Sequence, residues 1–276
     1  MELVLVLTLI TLLTDFGLHD SYVGIMKGVI AQISPAASVI DLSHDVSPQD
    51  IQGASFQLAM AYAHFPQGTI HVVVVDPGVG SSRRAIALRH QGYGFVGPDN
   101  GVFSPLLKTL SQVQAVELNN PTYWYQSQPS RTFHGRDIFA PVAAHLSAGI
   151  DLSCLGQPVL PQSLCRSLLL SWTRQPQGAR GQVQAVDRFG NLITNLPAAL
   201  LEDLPPTQPW TLEIQHRSIP GHPAYSTVKV GDLLALGGSH GWLEIAVNQG
   251  SAQSRLQAKV GDRVDWVFDP LKEEKR

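Results

Sequence analysis

The sequence has little excess charge of either sign and no basic run. Its 276 residues include 19 Lys and Arg against 22 Asp and Glu, a formal net charge of -3 at pH 7. Because nucleic-acid-binding proteins carry a basic patch or basic and aromatic residues in alternation, we expect no nucleic-acid partner. Hydrophobic residues make up 44% of the chain and charged residues 15%, which excludes a disordered protein and indicates a globular one.

Cysteine is also scarce. The two cysteines, Cys154 and Cys165, lie too far apart in sequence for a CxxC metal-binding or redox pair. We therefore expect a pair of buried thiols and a cytoplasmic protein, because secreted domains of low stability carry more cysteines in disulfides.

No apolar run is long enough to span a bilayer. The first residues, "MELVLVLTLITLL", fall short of the roughly 20 residues that a transmembrane helix needs. They also lack the positive flank and cleavage site of a signal peptide, since Glu2 stands where a cation is expected. We expect no membrane association, and we predict that residues 10–14 form the first buried strand.

The N-terminal part alternates between strand and helix patterns. Apolar residues at helical spacing predict a helix in "DSYVGIMKGVIAQISP", and Ser47 and Pro48 predict the start of a second helix that runs to about His64. The predicted strands are "SVIDLS", "GTIHVVVVD", "RAIALRH" and "GYGFVG". This alternation predicts an α/β domain of three layers, a mostly parallel sheet with helices on both faces.

The pattern changes after about Ser171. "TRQPQGARG" has the composition of a linker, and short alternating segments separated by Gly, Pro and Asp follow it. We predict an N-terminal α/β domain over residues 1–170, a linker over 171–180 and a smaller antiparallel β-barrel domain over 181–276.

Acidic residues follow three of the predicted strands. Asp15, Asp76 and Asp99 stand at strand ends with glycines nearby, and ligands of open α/β sheets bind at the carboxyl ends of strands. Asp, Pro and Gly at such positions are also ordinary turn formers, so each residue alone is equally compatible with a turn. A fourth segment, "TFHGRDIFAPVAAHL", adds His134 and Asp137, and Asp137 is predicted to cap a helix.

Six segments, taken together and in order, resemble the S-adenosylmethionine (SAM) hydroxide adenosyltransferases, whose relatives include fluorinase and chlorinase enzymes. The resemblance runs from about residue 10 to residue 268, and residues 1–9 lie outside it. The segments are "ITLLTDFG", "VDPGVGSSRR", "GPDNG", "FHGRDIFAP", "DRFGNLITN" and "GSHGWLEIAVNQGSA". The resemblance implies hydrolysis of SAM to adenosine and L-methionine without a metal or other cofactor. It also implies a homotrimer with active sites between subunits.

The resemblance implies that Asp76, Arg83 and His134 handle the attacking water. In that interpretation the guanidinium of Arg83 favours developing hydroxide, His134 hydrogen-bonds the water, and Asp76 orients Arg83 or His134. Which of the three groups takes the proton is left open by the sequence.

The resemblance also implies five substrate-binding residues. Asp15 is expected to hold the ribose hydroxyls, and Asp187 the methionine ammonium group. Phe189 is expected to stack on adenine, Asn191 to hydrogen-bond its polar edge, and Ser239 to contact the methionine carboxylate.

Three other functions remain open at this point. One is a SAM-dependent 5′-halogenase, the sister chemistry on the same fold. A second is a metal-dependent hydrolase with Asp15, Asp76, Asp99 and His134 as hard ligands, although their spacing matches no known metal motif. The third is a nucleotide-binding module without catalysis.

Overall fold

A computed structural model describes residues 8–108, 110–166, 170–205 and 207–268. The chain divides after residue 169 into two compact units, an N-terminal one and a C-terminal one. In the described residues, no helix is both long enough and apolar enough to cross a membrane.

A seven-stranded sheet forms the centre of the N-terminal unit as described. The strands are β1 (Leu9–Thr14), β2 (Ser38–Ser43), β3 (Ile70–Val74), β4 (Ala85–His90), β5 (Tyr93–Pro98), β6 (Val113–Glu117) and β7 (Gln157–Val159). The helices are α1 (Tyr22–Ile33), α2 (Ile51–Ala61) and α3 (Ala140–Ser147), and a π-helical turn over Gly135–Phe139 precedes α3.

The strand order is β2-β1-β3-β5-β4-β6-β7, and the sheet is mixed rather than mostly parallel. The pairs among β2, β1, β3 and β5 are parallel, whereas β4, β6 and β7 pair in antiparallel fashion. The physical reason begins at the β4–β5 connection, which contains only Gln91 and Gly92. Both have positive φ, 50° and 84°, the geometry of a tight hairpin turn, and such a turn can join only antiparallel strands.

Helices cover both faces of this sheet, which confirms the predicted three layers. Helices α1 and α3 pack on one face against Leu12 and Val72. Helix α2 packs on the opposite face against Leu13 and Val73. Because both faces are buried, most residues of β1 and β3 are apolar, which explains the valine run. The polar exceptions in these strands, Thr11, Thr14 and His71, are buried as well.

Strands β1 and β3 are neighbours whose connections diverge. The chain leaves β1 through α1 to reach β2 on one side, and returns through α2 to β3 on the other side of β1. Such a reversal of strand order is where open α/β sheets bind ligands, at the carboxyl ends of the strands.

The C-terminal unit is a nearly closed antiparallel barrel. Its strands are β8 (Thr173–Gln175), β9 (Gly178–Val186), β10 (Leu192–Pro197), β11 (Trp210–Ile214), β12 (Arg217–Pro220), β13 (Leu233–Gly237), β14 (Trp242–Val247) and β15 (Arg263–Phe268), with the short helix α4 (Ala252–Leu256). The strand order is β12-β11-β15-β9-β10-β14-β13. The two strands at its ends, β12 and β13, come together at a single bridge between Gly221 and Ala235, which nearly closes the barrel. A core around Trp266, which is 1% exposed, fills the barrel.

Three local predictions differ from the structure. Residues 171–180, predicted as a linker, contain β8 and the start of β9, which pair as an antiparallel hairpin. Gly178 takes a φ of 151° at a position where a side chain would clash with the Trp266 carbonyl of β15. The second helix begins at Ile51 instead of Pro48, since Asp50 accepts a hydrogen bond from the Gly53 N–H at 2.8 Å and caps it. The prediction of two buried thiols is also wrong, because Cys154 is exposed and Cys165 is half-buried.

Candidate active site

A cleft of about 470 Å³ opens at the carboxyl ends of β1 and β3. Asp15 follows β1, Asp76 follows β3, and His134 arrives from the segment before the π-helical turn. All three predicted residues line this cleft. The structure therefore brings together two carboxylates and an imidazole that are far apart in the sequence.

The turn after β3 returns Arg83 to Asp76. The Val79 N–H donates to the Asp76 carbonyl at 3.1 Å, and the Ser81 N–H donates to the Gly78 carbonyl at 3.1 Å. The guanidinium then donates twice to the carboxylate, from Nε to Oδ1 at 2.9 Å and from Nη2 to Oδ2. The Asp76 side chain is 5% exposed and that of Arg83 10%, so this bidentate pair is largely shielded from water.

His134 contacts the same guanidinium. Nη2 of Arg83 lies 2.7 Å from Nδ1 of His134, so one nitrogen of Arg83 joins Asp76 and His134. Burial and then the charge of Arg83 lower the pKa of His134, against the opposing effect of Asp76 and Asp137. The imidazole is therefore neutral at neutral pH.

Asp15 is held by a backbone amide. The Gln49 N–H donates to Oδ2 of Asp15 at 2.8 Å, and Gln49 has a left-handed φ of 69° beside the cleft that it lines with Pro48. A non-glycine residue in this region of backbone space is unusual and is favoured only where its surroundings require it. The carboxylate keeps its other oxygen available to the cleft.

Three aromatic rings form one wall of the cleft. The rings of Phe16, Tyr22 and Phe133 meet with centroid separations of 5.2 to 5.9 Å. Tyr22 meets Phe133 edge to face, at an interplanar angle of 88°. This wall gives the cleft an apolar part in addition to its charged groups.

Asp99 and Asp137 do not line the cleft in the described structure; their side chains form hydrogen bonds that hold the surrounding loops. Asp99 accepts from Nε of Arg84 at 2.9 Å and from the Cys165 N–H at 2.8 Å. Asp137 is fully buried inside the π-helical turn and caps no helix, in contrast to the prediction. Burial raises the pKa of Asp137, but hydrogen bonds from Arg136 and Ser130 outweigh it and hold the pKa below its usual range.

A second cleft, of about 520 Å³, lies in the C-terminal unit. Phe189 and Asn191 line it with Tyr225 and the segment 247–251. Phe189 is 76% exposed, so its ring is accessible to a planar ligand that could stack on it.

Asp187 organises the loop that carries these two residues. Oδ1 accepts from the backbone N–H groups of Phe189 at 2.9 Å and Asn191 at 2.8 Å, and Oδ2 accepts from the Asn191 side chain at 2.8 Å. The Gly190 N–H closes the turn onto the Asp187 carbonyl at 3.0 Å. Three of about four acceptor positions of the carboxylate are thus used within its own loop.

Ser239 is exposed in the turn between β13 and β14. The next residue, His240, turns inward, where Nε2 lies 2.7 Å from Oε2 of Glu244. The buried Glu244 carboxylate also accepts a hydrogen bond from the Tyr225 hydroxyl, which raises the pKa of that phenol together with burial. Among the described residues, Ser239 and Asp187 do not line the second cleft.

Within the described residues, the side chains of His, Cys, Asp and Glu form no group of three or more that could hold a metal ion. Of the four residues considered as metal ligands, Asp15, Asp76 and His134 line the first cleft, and the carboxylates of two of the four are paired with arginines. Asp76 pairs with Arg83, and Asp99 pairs with Arg84.

Sequence profiles of a known family cover most of the chain. The SAM hydroxide adenosyltransferase N-terminal domain matches residues 10–156, and the C-terminal domain of the same family matches residues 181–265. The chain belongs to the SAM hydroxide adenosyltransferase family. The resemblance inferred from six short segments is thereby confirmed.

Individual relatives agree with this membership. The chain is 40% identical to the (R)-S-adenosyl-L-methionine hydrolase of Salinispora arenicola, across 92% of this chain and 96% of that protein. A fluorinase of Nocardia brasiliensis is 24% identical across 92% of this chain and 94% of its own. A crystal structure of an uncharacterized conserved protein from Thermotoga maritima superposes with a TM-score of 0.87 at 38% identity, covering 94% and 99% of the two chains.

Four residues that line the two clefts were not predicted from the sequence. Gln49 contributes a backbone N–H, for which the side chain gives no signal. In the sequence, Tyr22 is part of a predicted helix and Phe133 part of a loop, and Tyr225 lies in a segment without a regular pattern. The one available signal was the position of Phe133 directly before His134.

Proposed function

We propose that the protein hydrolyses S-adenosyl-L-methionine to adenosine and L-methionine, by attack of water on C5′. The observation that carries the proposal is that Asp76 and His134, joined by Arg83, line the cleft beside Asp15 in a chain of this family. The curated hydrolases at 36 to 40% identity are named for the (R) form of the substrate. Since L already specifies the amino-acid carbon, (R) describes the sulfonium, and we propose the R epimer as the preferred substrate.

The chemistry needs help mainly at the nucleophile. The sulfonium leaves as a neutral thioether and requires no acid, whereas water is a very weak acid and must lose a proton as it attacks. A carboxylate that faces the cleft can orient the water and accept its proton. Alignment of water, C5′ and sulfur in one line contributes roughly 7–11 kcal/mol to the lowering of the barrier.

The two clefts offer complementary halves of a binding site. In the N-terminal unit, Asp15 is assigned to the ribose hydroxyls. In the C-terminal unit, Phe189 is assigned to stacking on adenine and Asn191 to its polar edge. Asp187 is assigned to the methionine ammonium and Ser239 to its carboxylate.

Each cleft alone lacks part of what the substrate requires, and this supports a site in which the clefts of neighbouring copies share one substrate. The number of copies, three in a homotrimer, is what the family resemblance implies. The reaction is assigned no metal or other cofactor, because the leaving group is already activated. A cytoplasmic location fits the substrate, which is a product of central metabolism.

The test is to incubate the purified protein separately with the R and S epimers and to identify the products by mass spectrometry. Adenosine and methionine, formed faster from the R epimer, are the expected result. Asp76→Asn serves as the inactive control. Formation of S-adenosylhomocysteine, or no turnover of either epimer, would refute the proposal.

A further inference from the structure

The hydrogen bonds around Arg83 determine which nitrogen of His134 carries the proton. An arginine guanidinium only donates hydrogen bonds. Nη2 has two hydrogens, of which one goes to Oδ2 of Asp76 and the other to Nδ1 of His134, at 2.7 Å. Nδ1 is therefore an unprotonated acceptor, and the proton of the neutral ring is on Nε2.

The neutral ring of His134 keeps no free lone pair that could take a proton. Nδ1 uses its lone pair to accept from Arg83, and Nε2 carries the hydrogen, so Nε2 can only donate. His134 therefore cannot take a proton from water while it holds Arg83.

Asp76 has a different position. Its carboxylate lines the cleft, whereas the guanidinium of Arg83 lies behind it and, in the described part of the chain, does not line the cleft. Arg83 uses one acceptor position on each Asp76 oxygen, and a carboxylate has about four. Asp76 can therefore accept a hydrogen bond from a water in the cleft while it stays paired.

We propose that Asp76 is the base that takes the proton from the attacking water, and that His134 is a positioning residue that holds Arg83 through Nδ1. This inference rests on the proposed hydrolysis. As the water oxygen bonds to C5′, the C5′–S bond breaks and its electron pair stays on sulfur, giving neutral methionine. One water proton passes to Asp76 and then to solvent, and the other remains on the 5′-hydroxyl of adenosine.

The assignment predicts a difference between two variants at one position. The amide oxygen of His134→Asn can accept from Arg83 as Nδ1 does, whereas His134→Ala leaves that N–H without a partner. We expect kcat of His134→Asn within about fivefold of wild type and kcat of His134→Ala lowered about 10- to 100-fold. Asp76→Asn should lose about 10²–10⁴ in kcat, the usual contribution of a general base.

A matched control comes from the neighbouring ion pair. Asp99 pairs with Arg84 as Asp76 pairs with Arg83, but outside the cleft, so Asp99→Asn should keep kcat. Thermal melting of each variant separates loss of fold from loss of rate.

The pH profile and NMR complete the test. The charged groups that face His134 are Arg83, Asp76 and Asp137. The acidic limb of kcat should persist in His134→Asn if Asp76 is the base. A His134→Asn enzyme as slow as His134→Ala and without that limb would overturn the assignment.

¹⁵N NMR of the ligand-free protein, assigned by difference from His134→Asn, should show an unprotonated Nδ1 and a protonated Nε2 at pH 7. The opposite tautomer would overturn the inference without touching the proposed function. Absence of any hydrolysis by wild type, in contrast, would refute the proposed function while leaving the tautomer measurable.

Discussion

The backbone N–H of Gln49 reaches 2.8 Å across the cleft edge to Oδ2 of Asp15. This contact connects the segment before α2 with the end of β1. It fixes the carboxylate at the cost of a left-handed backbone at Gln49, with φ of 69°. A carboxylate fixed in this way and still facing the cleft is suited to bind the two neighbouring hydroxyls of a ribose.

We therefore expect Asp15→Ala to weaken the binding of adenosine as well as that of SAM. A charge-assisted hydrogen bond contributes about 1.5–3 kcal/mol, which corresponds to roughly 10- to 150-fold in affinity. Calorimetric titration with both ligands measures the effect. The neighbouring Asp50→Ala is the control, since it removes the cap of α2 at a cost of about 1 kcal/mol in stability without loss of affinity. Unchanged adenosine affinity in Asp15→Ala would leave Asp15 as a turn residue only.

Asp187 combines two roles that two substitutions can separate. Asp187→Asn keeps an oxygen that accepts from the Phe189 and Asn191 N–H groups, but it loses the charge expected to bind the methionine ammonium. We expect Asp187→Asn to weaken the binding of methionine and to leave the affinity for adenosine near that of wild type. Asp187→Ala should weaken the binding of both ligands, because it also removes the hydrogen bonds that hold the loop with Phe189 and Asn191. Equal adenosine affinity in the two variants would show that the loop contacts are dispensable for the second cleft.

The sequence predicted those features that depend on patterns along the chain. Continuous apolar runs that end in Asp15 and Asp76 predicted buried strands with acidic ends, and in the structure these strands are neighbours. The β4–β5 hairpin was missed, because Gln91 with positive φ has no distinctive side chain. The same holds for Gln49, whose contribution is a backbone N–H. The role of a side chain can be predicted from the residue type, whereas backbone geometry that tertiary contacts impose has no signal in the sequence.

His71 should make the N-terminal unit sensitive to acid. It is fully buried, its Nδ1 lies 2.7 Å from the Thr11 hydroxyl, and burial lowers its pKa from 6.5 to about 4. Because the folded pKa is below the unfolded one, the unfolded state binds the proton first as the pH falls. Stability is complete above about pH 6.5 and declines toward pH 4, with a loss of about 2 kcal/mol by pH 5.

Urea unfolding of the wild type and His71→Gln at pH 7, 6 and 5 measures this effect. The variant is less stable at pH 7 but should lose less between pH 7 and 5. Part of the slope should remain, since burial also lowers the pKa of His90, His134 and His145. The exposed His64→Gln is the control and should keep the wild-type slope. An unchanged slope in His71→Gln would contradict the prediction.

Subunit mixing tests whether neighbouring copies share a substrate. Asp76→Asn inactivates the first cleft and Asp187→Ala the second, so each variant alone should be inactive. If three copies exchange at random in an equal mixture, about a quarter of the shared sites combine two intact clefts. Activity should recover to about that fraction of wild type. No recovery, with exchange verified by mass spectrometry of tagged subunits, would mean that one copy supplies the whole site.

The fate of an oxygen label distinguishes hydrolysis from halogenation. If water attacks C5′, reaction in ¹⁸O-water places the label on the 5′-oxygen of adenosine and leaves methionine unlabelled. A single in-line displacement also inverts a chirally deuterated C5′. High chloride or fluoride should give no 5′-halo-adenosine, because the Asp76 carboxylate repels an anion and leaves it poorly dehydrated. Retained configuration would indicate a covalent intermediate, with Asp76 as the first candidate nucleophile. A halogenated nucleoside as the main product would place this chain with the fluorinase relatives in chemistry, despite its higher identity to the hydrolases.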